Sequence, residues 1–144
     1  MIGRVVLLIL LMCNTVTDLK MKRIFIPFTV AACGIGILVR AQTGNQTLLI
    51  GLAEAVIPGI FMVGFSLLTH GNMGMGDAVT FLAAGLLTDM VWSLELLAMA
   101  LIIFGAAAIL MLLTDRITLR DGLPFMPFIL MGHAAMMTTD ALLR

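Results

Sequence analysis

The chain has 144 residues, of which 62% are hydrophobic and only 11% are charged. A soluble domain carries about 25% charged residues, so this composition excludes a soluble globular enzyme, and the apolar content excludes a disordered chain. The eight Lys and Arg residues balance the eight Asp and Glu residues, which leaves no basic surplus of the kind that binds nucleic acid.

Charged and polar segments divide the chain into six apolar runs, because a charge at the centre of a bilayer costs at least about 2.5–3.5 kcal/mol. In chain order the runs cover residues 2–16, 24–39, 48–69, 77–91, 94–114 and 123–143. Each run is continuous rather than alternating, which favours helices over the strands of a membrane barrel. We therefore predict an all-α polytopic membrane protein with about six transmembrane helices, forming one domain over residues 1–144 and surrounded by the lipid bilayer.

The distribution of basic residues predicts the orientation of these helices. Loops one, three and five together contain Lys20, Lys22, Arg23, Arg116 and Arg120. The opposite side contains Arg4, Arg40 and Arg144. Because cytoplasmic loops carry the excess of Lys and Arg, we expect loops one, three and five in the cytoplasm and both termini outside.

The cysteines and histidines do not form a pattern typical of a metal site. Cys13 and Cys33 are isolated within apolar runs, and His70 and His133 are far from each other in the sequence. A zinc site requires clustered Cys and His ligands, so we predict neither a metal nor another cofactor. We expect His133 to be hydrogen-bonded inside the helix bundle.

Two acidic residues are the leading candidates for catalysis. Asp18 ends the first apolar run and Asp77 begins the fourth, so alternating helices would place both at the same membrane face. Two neighbouring carboxyl groups can share one proton, so that one acts as a general acid while the other activates water. The structural alternatives are that Asp77 is a helix N-cap and that Asp18 is an interfacial charge beside Lys20 and Lys22.

Glycines precede the second acid. Gly74 and Gly76 flank a single methionine directly before Asp77. Glycine permits close approach of another backbone, and a protease must bring an extended substrate next to its catalytic acids. The segment is therefore a candidate for the wall of a substrate cleft.

Three segments together resemble a known family. They are TDLKMKRI at 17–24, GMGD at 74–77 and LPFMPFILMG at 123–132. In this order they are similar to the motifs of the type IV prepilin peptidases, which are membrane aspartic proteases of the Gly-x-Gly-Asp class. The resemblance implies a six-helix aspartic endopeptidase with Asp18 and Asp77 as its catalytic pair. The positions that the resemblance places in substrate-binding segments are Lys20, Gly74, Gly76, Pro124 and Pro127.

The chain departs from the family pattern at three positions. Phe25 stands where the family often has proline, Val79 where it usually has lysine, and Met126 where the last motif has glycine. Both acids are retained. The resemblance implies cleavage of a basic leader peptide from prepilin-like membrane proteins at the cytoplasmic face of the cell (inner) membrane. It also suggests the minimal form, without the N-terminal region linked to methylation.

Two other functions are compatible with the same residues. A small proton- or ion-coupled transporter would use Glu54, Asp77 and Asp89 as relay acids spread through the bilayer. An inactive relative would bind pilins as an assembly partner. We expect interfacial exposure for Glu54 and Asp89, because both lie near the ends of apolar runs.

Overall fold

The computed structural model describes residues 2–21, 26–41, 45–68, 75–114 and 123–143. These ranges form helices α1 (Ile2–Met21), α2 (Ile26–Ala41), α3 (Asn45–Leu68), α4 (Met75–Leu87), α5 (Met90–Leu113) and α6 (Met126–Leu142). No strand occurs within them. The prediction of an all-α fold with six helices is confirmed.

Several of these helices have the apolar character of a membrane protein. Ile2–Lys20 and Met90–Leu113 are long and apolar enough to cross a membrane, judged by length and composition. Shorter apolar helices cover Ile26–Ala41, Leu52–Gly64 and Gly76–Leu87. Large apolar side chains such as Leu38 and Ile102 are exposed on the outer surface of the bundle. Both features agree with an all-α membrane protein.

The observed helix boundaries differ from the predicted ones near the candidate site. α1 continues to Met21, so Asp18 and Lys20 are helical residues, whereas we predicted a polar loop from Lys20 onward. Leucine, lysine and methionine are strong helix formers, which explains the extension. α4 begins at Met75, two residues before Asp77. The alternative that Asp77 is an N-cap is therefore wrong, because this residue lies inside the first turn.

The start of α5 also differs from the prediction. The helix begins at Met90 rather than near residue 94. Asp89 is its N-cap, with φ −152° and ψ 171°, and its side chain accepts a hydrogen bond from the Trp92 backbone N–H at 2.8 Å. Trp92 is buried. Its ring packs in the bundle because α5 starts one turn earlier than expected.

α4 is the central helix of the bundle. It packs against α1, α2, α3 and α5, and most of its side chains are buried. Helices approach one another closely in membranes where small residues remove the side-chain barrier. A Cβ atom on Gly3 would overlap the Leu87 carbonyl oxygen, and one on Gly85 would overlap the Ala55 carbonyl oxygen. These two glycines therefore allow α1 and α3 to contact the backbone of α4.

The contacts also fix the directions of the helices. The first residues of α1 meet the last residues of α4, and Arg40 at the end of α2 reaches the same residues of α4. α6 runs antiparallel to α1, since Asp140 pairs with Arg4 and the Met126 N–H bonds Asp18. The end that contains Asp18 and the start of α4 is called the Asp77 end below. The opposite end, with Arg4, Arg40 and Asp140, is called the Arg40 end.

Candidate active site

Asp18 lies on the buried face of α1, near the end of the helix. Leu7, Leu11 and Asn14 precede it at spacings of three and four residues and are fully buried, which places all four on one face of the helix. This face packs toward α2, α4 and α6. The carboxyl group of Asp18 is half-buried as a result.

Asp18 contacts the first turn of α6. The backbone N–H of Met126 donates a hydrogen bond to Asp18 Oδ2 at 3.4 Å, a long distance for this type of bond. The N-cap residue Phe125 makes no side-chain capping bond, and Pro127 has no N–H to satisfy. The Asp18 carboxyl group therefore caps α6 from another helix, where the helix dipole favours negative charge.

This contact brings the third motif to the first acid. Pro124 and Pro127, both half-buried, lie on either side of the Phe125–Met126 pair at the start of α6. The start of segment 123–132 therefore lies next to Asp18, although more than a hundred residues separate them in sequence. The sequence predicted that these segments belong to one site but gave no contact between them.

Asp77 lies in the first turn of the central helix and is 7% exposed. A carboxyl group in the first turn is favoured by the helix dipole. The half-buried Gly76 precedes it, and the Gly76 carbonyl oxygen accepts a hydrogen bond from Thr80 Oγ1 at 3.0 Å. Asp77 is thus held on the most enclosed helix of the bundle.

The helix directions bring the two acids toward one another along the bundle axis. From the level where Gly3 meets Leu87, Asp18 is about 22 Å along α1 and Asp77 is about 15 Å along α4. Side chains tilt toward the N-terminus of their own helix. The Asp18 side chain therefore leans toward the Arg40 end and the Asp77 side chain leans toward the Asp77 end. These tilts reduce the difference in height between the two carboxyl groups along the bundle axis.

Two neighbouring helices extend beyond this level. α3 contacts Leu82 at Gly59 and then continues about 13 Å to Leu68, whereas Asp77 is only about 7 Å from Leu82 along α4. α5 packs Phe104 on Phe125 at a ring separation of 5.4 Å and continues about 13 Å to Leu113. The acids are therefore recessed relative to the ends of α3 and α5.

The remaining candidate residues have different surroundings. Lys20 is exposed on α1, two residues beyond Asp18. Gly74 and His70 lie outside the described residues. Glu54 and Asp89 are both exposed and lie at the Arg40 end, on α3 and at the start of α5.

Residues 5–114 match the type IV leader peptidase family. The chain belongs to this family. The match covers more than half of the chain and includes the segments around Asp18 and Asp77, so the suspected family is confirmed. No curated protein and no solved structure matches the chain. At the level of the family, this leader peptidase relative is a protease and a membrane protein.

The family match ends before segment 123–132. The inclusion of this segment in the leader peptidase site therefore depends on the hydrogen bond between Met126 and Asp18. Among the described residues, no group of three His, Cys, Asp or Glu side chains is arranged to hold a metal ion.

Some polar residues of this leader peptidase relative were not singled out from the sequence. Asn14 is fully buried one turn before Asp18 and bonds Thr29 on α2. A single asparagine inside an apolar run, four residues before an acid, was the available signal. The expectation that His133 is hydrogen-bonded inside the bundle is confirmed, since its ring bonds the Arg4 carbonyl oxygen at 3.0 Å and Trp92 Nε1 at 3.4 Å.

Proposed function

We propose that the chain is a membrane aspartic endopeptidase that removes the basic leader from prepilin-like membrane proteins, with Asp18 and Asp77 as its catalytic pair. One observation carries this proposal: two acids from neighbouring helices lie at the same end of the bundle, where Asp18 also contacts the first turn of α6. Membership in the leader peptidase family supports the reaction class.

The two carboxyl groups have complementary roles in this reaction. One carboxylate accepts a proton from a water molecule, and the water oxygen forms a bond to the carbonyl carbon of the scissile peptide. The other carboxyl group, which starts protonated, donates its proton as the C–N bond breaks and the amine leaves. The enzyme ends with the same single proton on the pair that it had at the start.

The recess supports a substrate that is extended near the cleavage site. In this proposal Gly74 and Gly76 leave room for the substrate backbone, and Pro124 and Pro127 shape the wall opposite Asp77. Lys20 lies at the exposed rim, on the same helix as Asp18. The apolar helix that follows the leader remains in the bilayer beside the bundle.

We further propose that the enzyme is a multi-pass protein of the cell (inner) membrane and that the Asp77 end faces the cytoplasm. Five of the eight basic residues lie in α1 or in the connections at this end, namely Lys20, Lys22, Arg23, Arg116 and Arg120. The excess of basic residues on the cytoplasmic side supports this orientation. A basic leader synthesised in the cytoplasm would then meet the acids directly.

The decisive experiment measures cleavage by the protein reconstituted in lipid vesicles. The substrate is a synthetic peptide with a basic leader ending in glycine before an apolar helix. Asp18→Asn and Asp77→Asn should each remove nearly all cleavage, because the two carboxyl groups act as one unit. Glu54→Gln and Asp89→Asn, at the Arg40 end, are the controls and should retain most activity. Normal cleavage by Asp18→Asn together with an inactive Asp89→Asn would contradict the proposal and favour a transporter.

The orientation is tested separately by cysteine labelling. In a background with Cys13→Ala and Cys33→Ala, single cysteines are placed at Met21 and at Thr43. An impermeant reagent added outside intact cells should label position 43 and not position 21. The reverse result would place the Asp77 end on the outer face, where a cytoplasmic leader could not reach it.

A further inference from the structure

A polar group with an unused acceptor lies beside Asp18 inside the bundle. The Asn14 side chain is fully buried on α1, and its Nδ2 donates a hydrogen bond to Thr29 Oγ1 of α2 at 3.2 Å. Asn14 Oδ1 is buried without a hydrogen-bond partner among the described residues, and so is the neighbouring Thr15 Oγ1. Buried polar atoms are nearly always paired in native proteins, so the unpaired Asn14 Oδ1 atom requires an explanation.

The position of Asn14 suggests what its oxygen contacts during the reaction. Asn14 is one helical turn before Asp18, on the same face of α1. Measured from the contact between Gly3 and Leu87, Asn14 is about 16 Å along α1 and Asp77 about 15 Å along α4. α4 packs against both α1 and α2. Asn14 therefore lies at the level of Asp77 along the bundle axis and one helical turn from Asp18.

The hydrogen bond to Thr29 orients the amide. Because Nδ2 is directed to α2, the Oδ1 atom on the other side of the amide plane points away from Thr29. An amide oxygen can only accept hydrogen bonds. It therefore interacts favourably with a protonated carboxyl group and unfavourably with a carboxylate.

We propose that Asn14 is a positioning residue of the catalytic pair, whose Oδ1 accepts the hydrogen bond of the carboxyl group that carries the shared proton, and that Thr29 holds Asn14 in this orientation. The inference depends on the proposed function of Asp18 and Asp77. It adds a third polar residue that keeps the pair singly protonated at neutral pH.

Other titratable groups near this position come from each neighbouring helix. Asp77 is on α4, and the half-buried Cys33 is one turn beyond Thr29 on α2. Lys20 follows Asp18 on α1. On α6 the first titratable residue in the described range is His133, two turns toward the Arg40 end. The amide oxygen of Asn14 can accept a hydrogen bond from one of these groups only while that group carries a proton.

The test is the pH profile of kcat/KM for leader cleavage in vesicles. Removal of the acceptor in Asn14→Leu destabilises the protonated carboxyl group, so the alkaline limb should move to lower pH by about half to one unit, as expected for one neutral hydrogen bond. The isosteric change Thr29→Val frees the amide to rotate and should shift the limb in the same direction. Thr29→Ser keeps the hydroxyl group and should restore the wild-type profile.

The matched control is Thr88→Val, the same isosteric change at the Arg40 end, where Thr88 Oγ1 bonds the Ala84 carbonyl oxygen. It should leave the profile unchanged. If Asn14→Leu and Thr29→Val lower only the folded amount, and their profiles superimpose on that of the wild type, the role of Asn14 is purely structural. If Asn14→Leu does not fold, the shift in Thr29→Val decides the question. Active Asp18→Asn or Asp77→Asn would overturn the proposed function itself, whatever the profiles of the other variants.

Discussion

The two ends of the bundle use polar residues in opposite ways. At the Arg40 end the Arg4 guanidinium pairs with Asp140 and lies over the Trp92 ring at 3.6 Å, while His133 bonds Trp92 and the Arg4 backbone. At the Asp77 end the Asp18 contact with α6 is long, and Asn14 Oδ1 is without a partner among the described residues.

The two ends therefore differ in what their polar residues contribute: those at the Arg40 end stabilise the fold, and those at the Asp77 end are available for the proposed reaction. Paired polar groups at the Arg40 end join α1, α5 and α6 and contribute to the free energy of unfolding. Acceptors left available at the Asp77 end contribute little to stability but can interact with a substrate, a water molecule or a transferred proton. Substitutions at the two ends should therefore change different measured quantities.

The largest expected effect is at Asp18. Asp18→Asn and Asp18→Ala should both lower the cleavage rate by about 10⁴-fold, the scale of losing one member of a catalytic unit. Only Asp18→Ala should also lower the free energy of unfolding, by about 1 kcal/mol, since asparagine keeps an oxygen that caps α6. Unfolding in mixed micelles and cleavage in vesicles measure the two effects. A large stability loss in Asp18→Asn would remove the distinction between the two ends.

The next effect is at Arg40, whose guanidinium donates to the carbonyl oxygens of Gly85, Leu86 and Thr88 at 2.8–3.1 Å. Gly85 and Leu86 lie in the last turn of α4 and Thr88 directly follows the helix, a position where a cation is favoured by the helix dipole. Arg40→Met should lower the free energy of unfolding by about 2–3 kcal/mol. Arg40→Lys keeps the positive charge but lacks the several N–H donors of the guanidinium group, so it should lower the free energy of unfolding by less than Arg40→Met does. The cleavage rate per folded molecule should be unchanged in both, and a selective loss of rate would link the Arg40 end to catalysis.

A smaller effect is expected at Gly36 on α2. A Cβ atom there would be 2.8 Å from Leu86 Cβ and 2.9 Å from the Leu86 backbone carbon, whereas one on Gly34 would have nothing within 4 Å. Gly36→Ala should lower the free energy of unfolding by about 1–2 kcal/mol through overpacking. Gly34→Ala is the matched control and should raise it slightly, because alanine is the better helix former. Equal effects at both positions would mean that close packing does not stabilise this end.

The smallest effect concerns the N-cap of α5. Asp89→Ala removes the hydrogen bond to the Trp92 N–H and should lower the free energy of unfolding by about 1 kcal/mol. Asp89→Asn keeps an acceptor and should change it by less than about 0.5 kcal/mol. Neither variant should affect cleavage. A loss of cleavage in Asp89→Asn would instead support a relay of acids through the bundle.

Much of this organisation was available from the sequence because charges mark the ends of apolar runs. The six helices and the common end for Asp18 and Asp77 follow from that marking together with helix alternation. The helical extension through Lys20 was missed because a charge was read as the start of a loop. The capping of α6 by Asp18 and the pairing of Asn14 with Thr29 depend on tertiary contacts between distant segments, which one sequence does not encode locally.

The short length of the central helix has a consequence for how a lipid-embedded substrate meets water. α4 has 13 residues and rises about 20 Å, while the hydrocarbon core of a bilayer is about 30 Å thick. The last turn of α4 is held by Arg40 at the Arg40 end, and its first turn is recessed relative to the ends of α3 and α5 at the Asp77 end. Because α1, α2, α3 and α5 pack around α4, the space beyond its first turn is bordered by protein helices instead of lipid. In the proposed reaction, a peptide bond at the boundary between a leader and an apolar helix would be hydrolysed in this recess, without the helix being pulled out of the membrane.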